Sequence, residues 1–346
     1  MTMQLNAAQR RRLMAFAKAQ PTPGDAHVNA PLTNISVATM LDQNLFIADK
    51  AFPQVPVPNK SDLYYIFTQG DFLRNQARVR APGTESAGSG FSLSTDSYSA
   101  VVKALHKDVD DQLRANADSV LQLDRAATEW VTQQMMIARE TDWATAFWAT
   151  GKWGTDMIGQ NTTATHSSSQ FVQWDDNSTA KSNPASDVDY GKGLILASTG
   201  MIANTLVLDY YTFIALRTNA AVKDQFKYTS ADSIDVQMLA RYFGVDRVLV
   251  MGGISVSALE GATQTPAFIG GKNAFLCYSA PSPSLMTQSA GYSFTWSGLT
   301  GAGVTGIQMS KFRMEHLKSD RIEAQMAYAQ KKVSAGCGVF FSATIL

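Results

Sequence analysis

Residues that could do chemistry are few in this chain, and none of them forms a complete constellation. Gly301-Ala302-Gly303-Val304-Thr305-Gly306 has the spacing with which a glycine-rich turn cradles a dinucleotide pyrophosphate. That chemistry needs a strand before the turn, a helix opening from it and a βαβ unit beyond. The next residues are Ile307-Gln308-Met309-Ser310-Lys311-Phe312, an alternation of strand type, so the run reads as a glycine-rich turn. The four histidines, His27, His106, His166 and His316, are scattered. No HxxxH or paired Cys/His spacing offers a zinc site, and no GxSxG elbow accompanies His166. Asp108, Asp110 and Asp111 are too few, and lack the glycine turn, for calcium ligation. They read as the start of a helix. Cys277 and Cys337 lack CxxC spacing and read as reduced, partly buried thiols. Trp130, Trp143 and Trp148 are assigned to packing rather than to nucleotide stacking. Asn34-Ile35-Ser36, Asn161-Thr162-Thr163 and Asn177-Ser178-Thr179 match glycosylation acceptors, which mean little without a signal peptide. No catalytic, cofactor-binding or metal site is assigned, and no cofactor is implied.

The chain has 346 residues, 45% of them hydrophobic and 17% charged, the composition of a globular protein with a core. Its 29 basic and 29 acidic residues cancel, which argues against a dedicated nucleic-acid binder. No apolar run reaches the roughly 18 residues of a membrane span. Arg10, Arg11, Arg12 and Lys18 make the start basic, but no signal-peptide core comes after them. That segment reads as an amphipathic helix from Asn6, stopped by Pro21, in a soluble protein made inside the cell.

The elements along the chain are arranged unusually. Residues Ile35 to Asp49 read as partly helical, and the prolines of Ala51-Phe52-Pro53-Gln54-Val55-Pro56-Val57-Pro58 impose an extended path. Leu63 to Val79 reads as one extended strand and Phe91 to Val102 as its return, around the turn-rich Ala81 to Gly90. Seventeen extended residues would span about 55 Å, far beyond an ordinary strand. Arg74, Gln76, Arg78 and Arg80 would share one face and Leu73, Asn75, Ala77 and Val79 the other, neither apolar enough for a core. A lone ribbon of this kind is marginal in water, so it should take its partner surface from another copy. Next, Asp118 to Ala149 reads as a long helix, about 45 Å at 1.5 Å per residue. Its stripe is Val120, Leu123, Ala127, Trp130, Gln134, Ile137, Thr141, Ala144 and Trp148, with Asp118 and Ser119 as caps and Gly151 as the stop. Residues 154–186 read as loops and short strands. A compact α/β unit comes next: helix Asp187 to Thr199 closed by Gly200, strand Thr205 to Leu208, helices Tyr210 to Thr218 and Ser233 to Tyr242, strand Val245 to Met251. Residues up to Gly306 suggest irregular β structure. Alternation of Arg321, Glu323 and Gln325 against Ile322, Ala324 and Met326 marks a half-buried strand, and Ser334 to Leu346 a terminal one.

In this order, the parts resemble the major capsid protein of tailed bacteriophages, the HK97-like fold. The resemblance covers the chain from about Ile35 onward. It is carried by Phe46-Ile47-Ala48-Asp49-Lys50-Ala51-Phe52-Pro53-Gln54-Val55-Pro56-Val57 entering the hairpin and by Gly83-Thr84-Glu85-Ser86 at its tip. Ala203-Asn204-Thr205-Leu206-Val207-Leu208, Arg313 to Glu323 and Gly338-Val339-Phe340-Phe341 carry it further. The resemblance implies an α+β chain divided into an N-terminal arm (1–30), a peripheral domain with the long spine helix (31–60, 103–186 and 307–346), an extended hairpin or E-loop (61–102) and an inserted axial α/β domain (187–306).

It also implies a shell subunit that forms hexamers and pentamers of an icosahedral head around double-stranded DNA. The virion is the expected location, with assembly in the host cytoplasm and no membrane partner. Implied partners are further copies of the chain and a portal protein, and the sequence leaves open whether a decoration protein binds outside. Some members cross-link hairpin lysines to a neighbour; here no lysine lies between Lys60 and Lys103, so a non-covalent shell is expected. About 30 residues precede the matching region, too few for a built-in scaffolding domain, so a separate scaffolding protein is expected. Arg74, Arg78 and Arg80, with Glu85 at the tip, are the candidates for contacts between subunits. An encapsulin-type compartment would share the fold, and a nicotinamide-dependent enzyme is the third reading.

Overall fold

The computed structural model describes residues 43–67, 69–117, 122–161, 169–176, 182–227, 234–259, 261–283, 287–300 and 307–346. The N-terminal arm, Asn34, His27, His166, Asn177, the caps Asp118 and Ser119 and the Gly301–Gly306 run lie outside the described residues. In chain order the elements are β1 (Gln54–Val57), β2 (Ser61–Phe67), α1 (Gln69–Leu73), β3 (Leu93–Ser99), β4 (Val101–Asp110), α2 (Asp111–Asn116) and α3 (Leu123–Phe147). Then come β5 (Thr155–Gln160), β6 (Gln170–Val172), α4 (Pro184–Thr199), β7 (Thr205–Asp209), α5 (Tyr210–Thr218), α6 (Ala220–Phe226), α7 (Val236–Phe243) and β8 (Arg247–Met251). The remainder is β9 (Ile254–Val256), β10 (Pro266–Phe268), β11 (Ala274–Cys277), β12 (Gly291–Trp296), α8 (Ser297–Thr300), β13 (Ile307–Met314), β14 (Ser319–Lys332) and β15 (Gly338–Ser342).

The chain divides into two compact units. One comprises Val102–Ala138 and Leu299–Ala327 among its described parts; the other comprises Gln43–Val101, Arg139–Gly298 and Tyr328–Leu346. In the larger unit, strands from distant parts of the sequence form a six-stranded sheet in the order β6-β5-β15-β11-β7-β8. Here β15 runs parallel to β5 and antiparallel to β11, and β7 runs parallel to β8. Period-two alternation sends Leu206 and Leu208, Ala274 and Leu276, Val339 and Phe341 into one buried cluster. Val207, Phe275, Cys277 and Phe340 enter another on the opposite face. A sheet covered on both faces reads as continuous apolar runs, as these three strands do. The first cluster is closed by α4 and α7, which end on Gly200 (φ 73°) and Gly244 (φ 57°), left-handed positions that favour glycine. In the second, Phe52, Trp143, Phe147 and Trp153 pack as rings, with Phe52 edge-on to Phe147 at 4.7 Å. The smaller unit pairs β13 antiparallel to β14 from Ile307↔Met326 to Met314↔Ser319, and β4 also pairs with β14. Its core is Val109, Ala127 and Ile322, with Leu123 packed against them.

Several sequence expectations hold closely. Helix α5 has the expected bounds, and Ile322, Ala324 and Met326 are the buried face of β14. Asp110 caps α2, accepting the Gln112 N–H at 2.7 Å, so the aspartate cluster does open a helix. The strand expected after Gly306 is β13, which denies the glycine run the helix a dinucleotide site requires.

Others need correction. The seventeen-residue strand does not exist: β2 ends at Phe67, the helical turn α1 comes after it, and 74–92 has no regular structure. Gln69, Gly70 and the arginine-rich polar stretch after them offer no second apolar alternation for a partner strand to bury. The spine helix ends at Phe147, and its buried line is Ala127, Val131, Met135, Arg139, Trp143 and Phe147, with Trp130 43% exposed. A strict step of four advances about 40° around the helix each time. Neighbours therefore cover different faces at its two ends, which a stripe at constant azimuth does not capture. Strand β4 and helix α6 have no counterpart in the sequence reading, and α4 opens at Asn183 and Pro184, inside the segment 154–186 read as loops and short strands.

The tightest approach in the sheet is at Gly159 of β5, where an added Cβ would lie 2.0 Å from the Ala343 carbonyl oxygen. A backbone oxygen held beside β15 cannot swing aside. Gly159→Ala is therefore expected to cost about 1–3 kcal/mol, seen as a lower urea midpoint with an unchanged slope.

Candidate functional site

The segment that departs furthest from a self-contained packing is the excursion between Asn59 and Ala100. Its base closes where the Ala100 N–H donates to the Lys60 carbonyl at 2.8 Å. β2 and β3 pair antiparallel from Ser61↔Ser99 to Phe67↔Leu93. Because side chains alternate across a strand, Asp62, Tyr64, Ile66, Asp96 and Tyr98 share one face. Leu63, Tyr65, Thr95, Ser97 and Leu93 share the other.

The first face is anchored within its own unit. Tyr98 stacks on Phe294 of β12 at 4.7 Å, and Tyr64 meets the same ring at 5.4 Å, in a small cluster with Val57, Tyr292 and Ala329. Directly across the ladder, the Tyr64 hydroxyl donates to Asp96 at 2.8 Å. Burial, then that bond, pushes the Tyr64 phenol up; the same bond lowers the Asp96 carboxyl. Among the described residues the second face has no such cover. Leu63, Tyr65 and Leu93 are 62%, 57% and 53% exposed. Beyond the ladder, Phe72 and Leu73 of α1 and Phe91 on the return limb are also half exposed. Phe72 and Phe91 meet each other at 5.4 Å, while Asp71 ties the limbs by accepting the Ser92 N–H at 2.9 Å and hydroxyl at 2.6 Å. A cleft of about 970 Å³ lies beside the base, lined by Tyr64, Tyr65, Phe72, Leu73, Tyr292 and Phe294 among others.

Arg74, Arg78, Arg80 and Glu85, the candidates from sequence, all lie on this excursion and are all exposed. Their common strand face is absent, because 74–85 is not a strand. Arg74 pairs with Asp71 at 3.6 Å, and the Arg80 side chain donates to the Thr84 carbonyl, bracing the turn in which Thr84 bonds back to Ala81. Arg78 and Glu85 stand on opposite sides of that turn in sequence. The apolar face is the functional feature that sequence reasoning missed. Its signal was present, as Leu63 and Tyr65 at a spacing of two, but was diluted by reading the polar residues after Phe67 as part of the same strand.

Charges in the smaller unit are arranged in the opposite spirit, satisfied internally. Arg321 grips Asp108 with two bonds of 2.7 and 2.8 Å. Arg114 reaches Asp124 at 2.7 Å and Asp320 at 2.9 Å, Lys311 reaches Asp124 at 2.9 Å, and Arg313 bridges Asp111 and Asp320. Hydrogen bonds from Arg321, Arg313 and Lys311 hold Asp108, Asp111 and Asp124 below the usual carboxylate range. Lowered folded values mean that this contribution is fully present above about pH 4 and fades only below it. Among the described residues no cluster of histidine, cysteine and carboxylate side chains could hold a metal ion, and no helix is long and apolar enough to cross a membrane.

Phe294 is the ring that both Tyr64 and Tyr98 of the ribbon meet. Phe294→Ala is expected to cost about 3 kcal/mol or more and to expose residues 61–99 to limited proteolysis, while leaving cleavage within the six-stranded sheet unchanged.

No protein-family description and no curated protein matches the chain. Solved structures do. A phage-related protein from Bordetella bronchiseptica RB50 aligns with a TM-score of 0.64 at 21% identity, covering 92% of this chain and 98% of that one. The mature capsid of bacteriophage PhiM1 aligns at 0.54 and 11% identity, and the capsid of cyanophage P-SCSP1u at 0.53 and 10%, each covering 93% of this chain and 98% of the other. This α+β architecture, with its ribbon, its long helix and its mixed sheet, is the HK97-like fold of phage major capsid proteins.

Proposed function

We propose that this chain is the major capsid protein of a tailed bacteriophage, a structural subunit without catalytic activity. Copies associate into hexamers and pentamers that close as an icosahedral head around double-stranded DNA. The observation that carries this reading is the ribbon's uncovered apolar face on an HK97-like fold. Leu63, Tyr65 and Leu93 project from an element that has no second layer among the described residues, and a symmetric neighbour supplies one at every position of a closed shell. Residues 187–306 form the axial part in this reading, 61–102 the hairpin laid across a neighbour, and 31–60, 103–186 and 307–346 the peripheral part. A separate scaffolding protein guides closure, and a portal protein occupies one vertex. The balanced charge of the chain suits a wall that does not hold packaged DNA by counterion release.

Absence of lysine between Lys60 and Lys103 leaves the hairpin without an amine for cross-linking. The shell is accordingly non-covalent, and boiled particles should run as a single monomer band on denaturing electrophoresis; a ladder of oligomers would refute this.

Negative-stain microscopy of the protein, expressed alone and with a scaffolding protein, tests the main proposal. Closed polyhedral particles or capsomer rings are expected, and double-stranded DNA inside particles from infected cells separates a phage head from an encapsulin-type shell around a protein cargo. A protein that stays monomeric under every condition would contradict it. Arg74, Arg78 and Arg80 are proposed to meet carboxylates of a neighbour. Replacing all three with Glu should change the subunit's unfolding free energy by no more than about 0.5 kcal/mol per substitution and abolish particles, whereas normal particles would remove them from the interface.

A further inference from the structure

The carboxylate of Glu140 on α3 is fully buried and takes no part in the ribbon's contacts or in the charge network of the smaller unit. It accepts the Ile47 N–H at 3.1 Å on both oxygens and the Ala48 N–H at 2.8 Å. Residues 47–51 form a single turn in which the Lys50 and Ala51 amides donate to the Ile47 carbonyl at 2.8 and 2.9 Å. The first N–H groups of such a turn have no partner within it, and Glu140 caps them from 93 residues away. Its neighbour Arg139, also buried, pairs with Asp49 of the same turn and lies over the Tyr328 ring at 5.4 Å. The Tyr328 hydroxyl donates to Asp142.

The charged and titratable groups facing this site are therefore Asp49 and Lys50 from the turn, Arg139, Glu140 and Asp142 from α3, and Tyr328 from β14. Gly253, Ile269 and Phe46 complete the wall around Glu140 without adding charge. The Lys50 ammonium turns outward to the Asn44 carbonyl at 2.9 Å. Among the described residues Glu140 and Asp49 thus stand against one buried cation, Arg139, while Asp142 is engaged by Tyr328 and Lys50 turns outward. An excess negative charge in a buried site is relieved by taking up a proton.

We propose that Glu140 is a proton-operated latch on the segment 46–52: the protonated carboxyl holds the turn against α3, and its ionisation loosens it. The neutral carboxyl keeps a carbonyl oxygen for the Ile47 and Ala48 N–H groups, so protonation does not cost the latch its bonds. Burial, reinforced by the Asp49 charge, pushes Glu140 up to about 7, although the Ala48 and Ile47 N–H groups pull the other way. Burial raises Asp49 as well. A closed turn that raises the value above that of an exposed glutamate binds the proton more tightly than an open one. Closure is consequently strongest at low pH and is lost as pH rises through the closed-state value.

Hydrogen exchange read by mass spectrometry tests this on the full-length protein, as free subunit and as particle. The readout is protection of the 43–52 peptide after correction for the intrinsic pH dependence of exchange. Between about pH 5.5 and about pH 8.5, protection should fall by more than about tenfold. Glu140→Gln keeps an acceptor and the packing but cannot titrate, so its protection should not change with pH. A flat profile in the parent protein, or a fall in Glu140→Gln equal to the parent's, would overturn the proposal. Should that variant not fold, Asp49→Asn removes the excess charge and is expected to move the transition to lower pH; an unmoved transition would equally overturn it.

Discussion

A two-stranded ribbon has only two faces, and its own domain can cover just one of them. In this chain that cover centres on Phe294, with Tyr98 stacked on it, Tyr64 beside it, and Val57, Tyr292 and Ala329 in the same cluster. Commitment of the Tyr64–Tyr98 face to Phe294 forces Leu63, Tyr65 and Leu93 outward by the geometry of the strand, because neighbouring side chains must point to opposite sides. Burying a large apolar side chain stabilises by about 1.5–3 kcal/mol, so three such residues left in water are a substantial unrealised contribution. The functional reading rests on this constraint and on the fold that displays it.

The larger unit gives the ribbon a rigid base by drawing its sheet from remote parts of the chain. β15, almost the last segment, lies between β5 and β11, and β7 completes the buried centre. Phe340 and Phe341 of β15 serve opposite cores, so both close only when the C-terminal strand is in place. Such long-range closure is slow in folding terms. Electrostatics divides the molecule in a similar way. The paired carboxylates of the smaller unit are half-buried and keep their contribution down to about pH 4, whereas Glu140 is buried against backbone amides, and that burial pushes its carboxyl up to about 7.

Much of this was legible in the sequence because local rules and tertiary packing agree there. Tyr210–Thr218 is bounded by a capping aspartate and by Asn219, and the alternation around Ile322, Ala324 and Met326 is undiluted. The order of the parts was enough to identify the HK97-like fold. The failures arose where a local pattern was ambiguous. Polar residues after Phe67 extend a strand on paper, but a strand persists only where a partner ladder or a buried face rewards it, and residues 74–92 have neither. The spine helix was given a stripe of constant azimuth, which placed Trp130 inside. Its true buried line drifts by steps of four from Ala127 to Phe147, through Arg139, a residue no hydrophobicity rule selects. Glu140 was invisible for the same reason: its partners are backbone N–H groups of a turn far away in sequence. The apolar face of the ribbon was visible as Leu63 and Tyr65 but masked by the length assigned to the strand.

The claim on which the rest depends is that this face is completed by another copy. Sedimentation of a variant carrying Leu63→Asp, Tyr65→Asp and Leu93→Asp tests it most directly, because exposed positions can be changed with little effect on the subunit itself. The account predicts a folded subunit, with parental circular dichroism and unfolding midpoint, that sediments only as free subunits under conditions where the parent forms particles. Particles at the parental yield from that variant would contradict it.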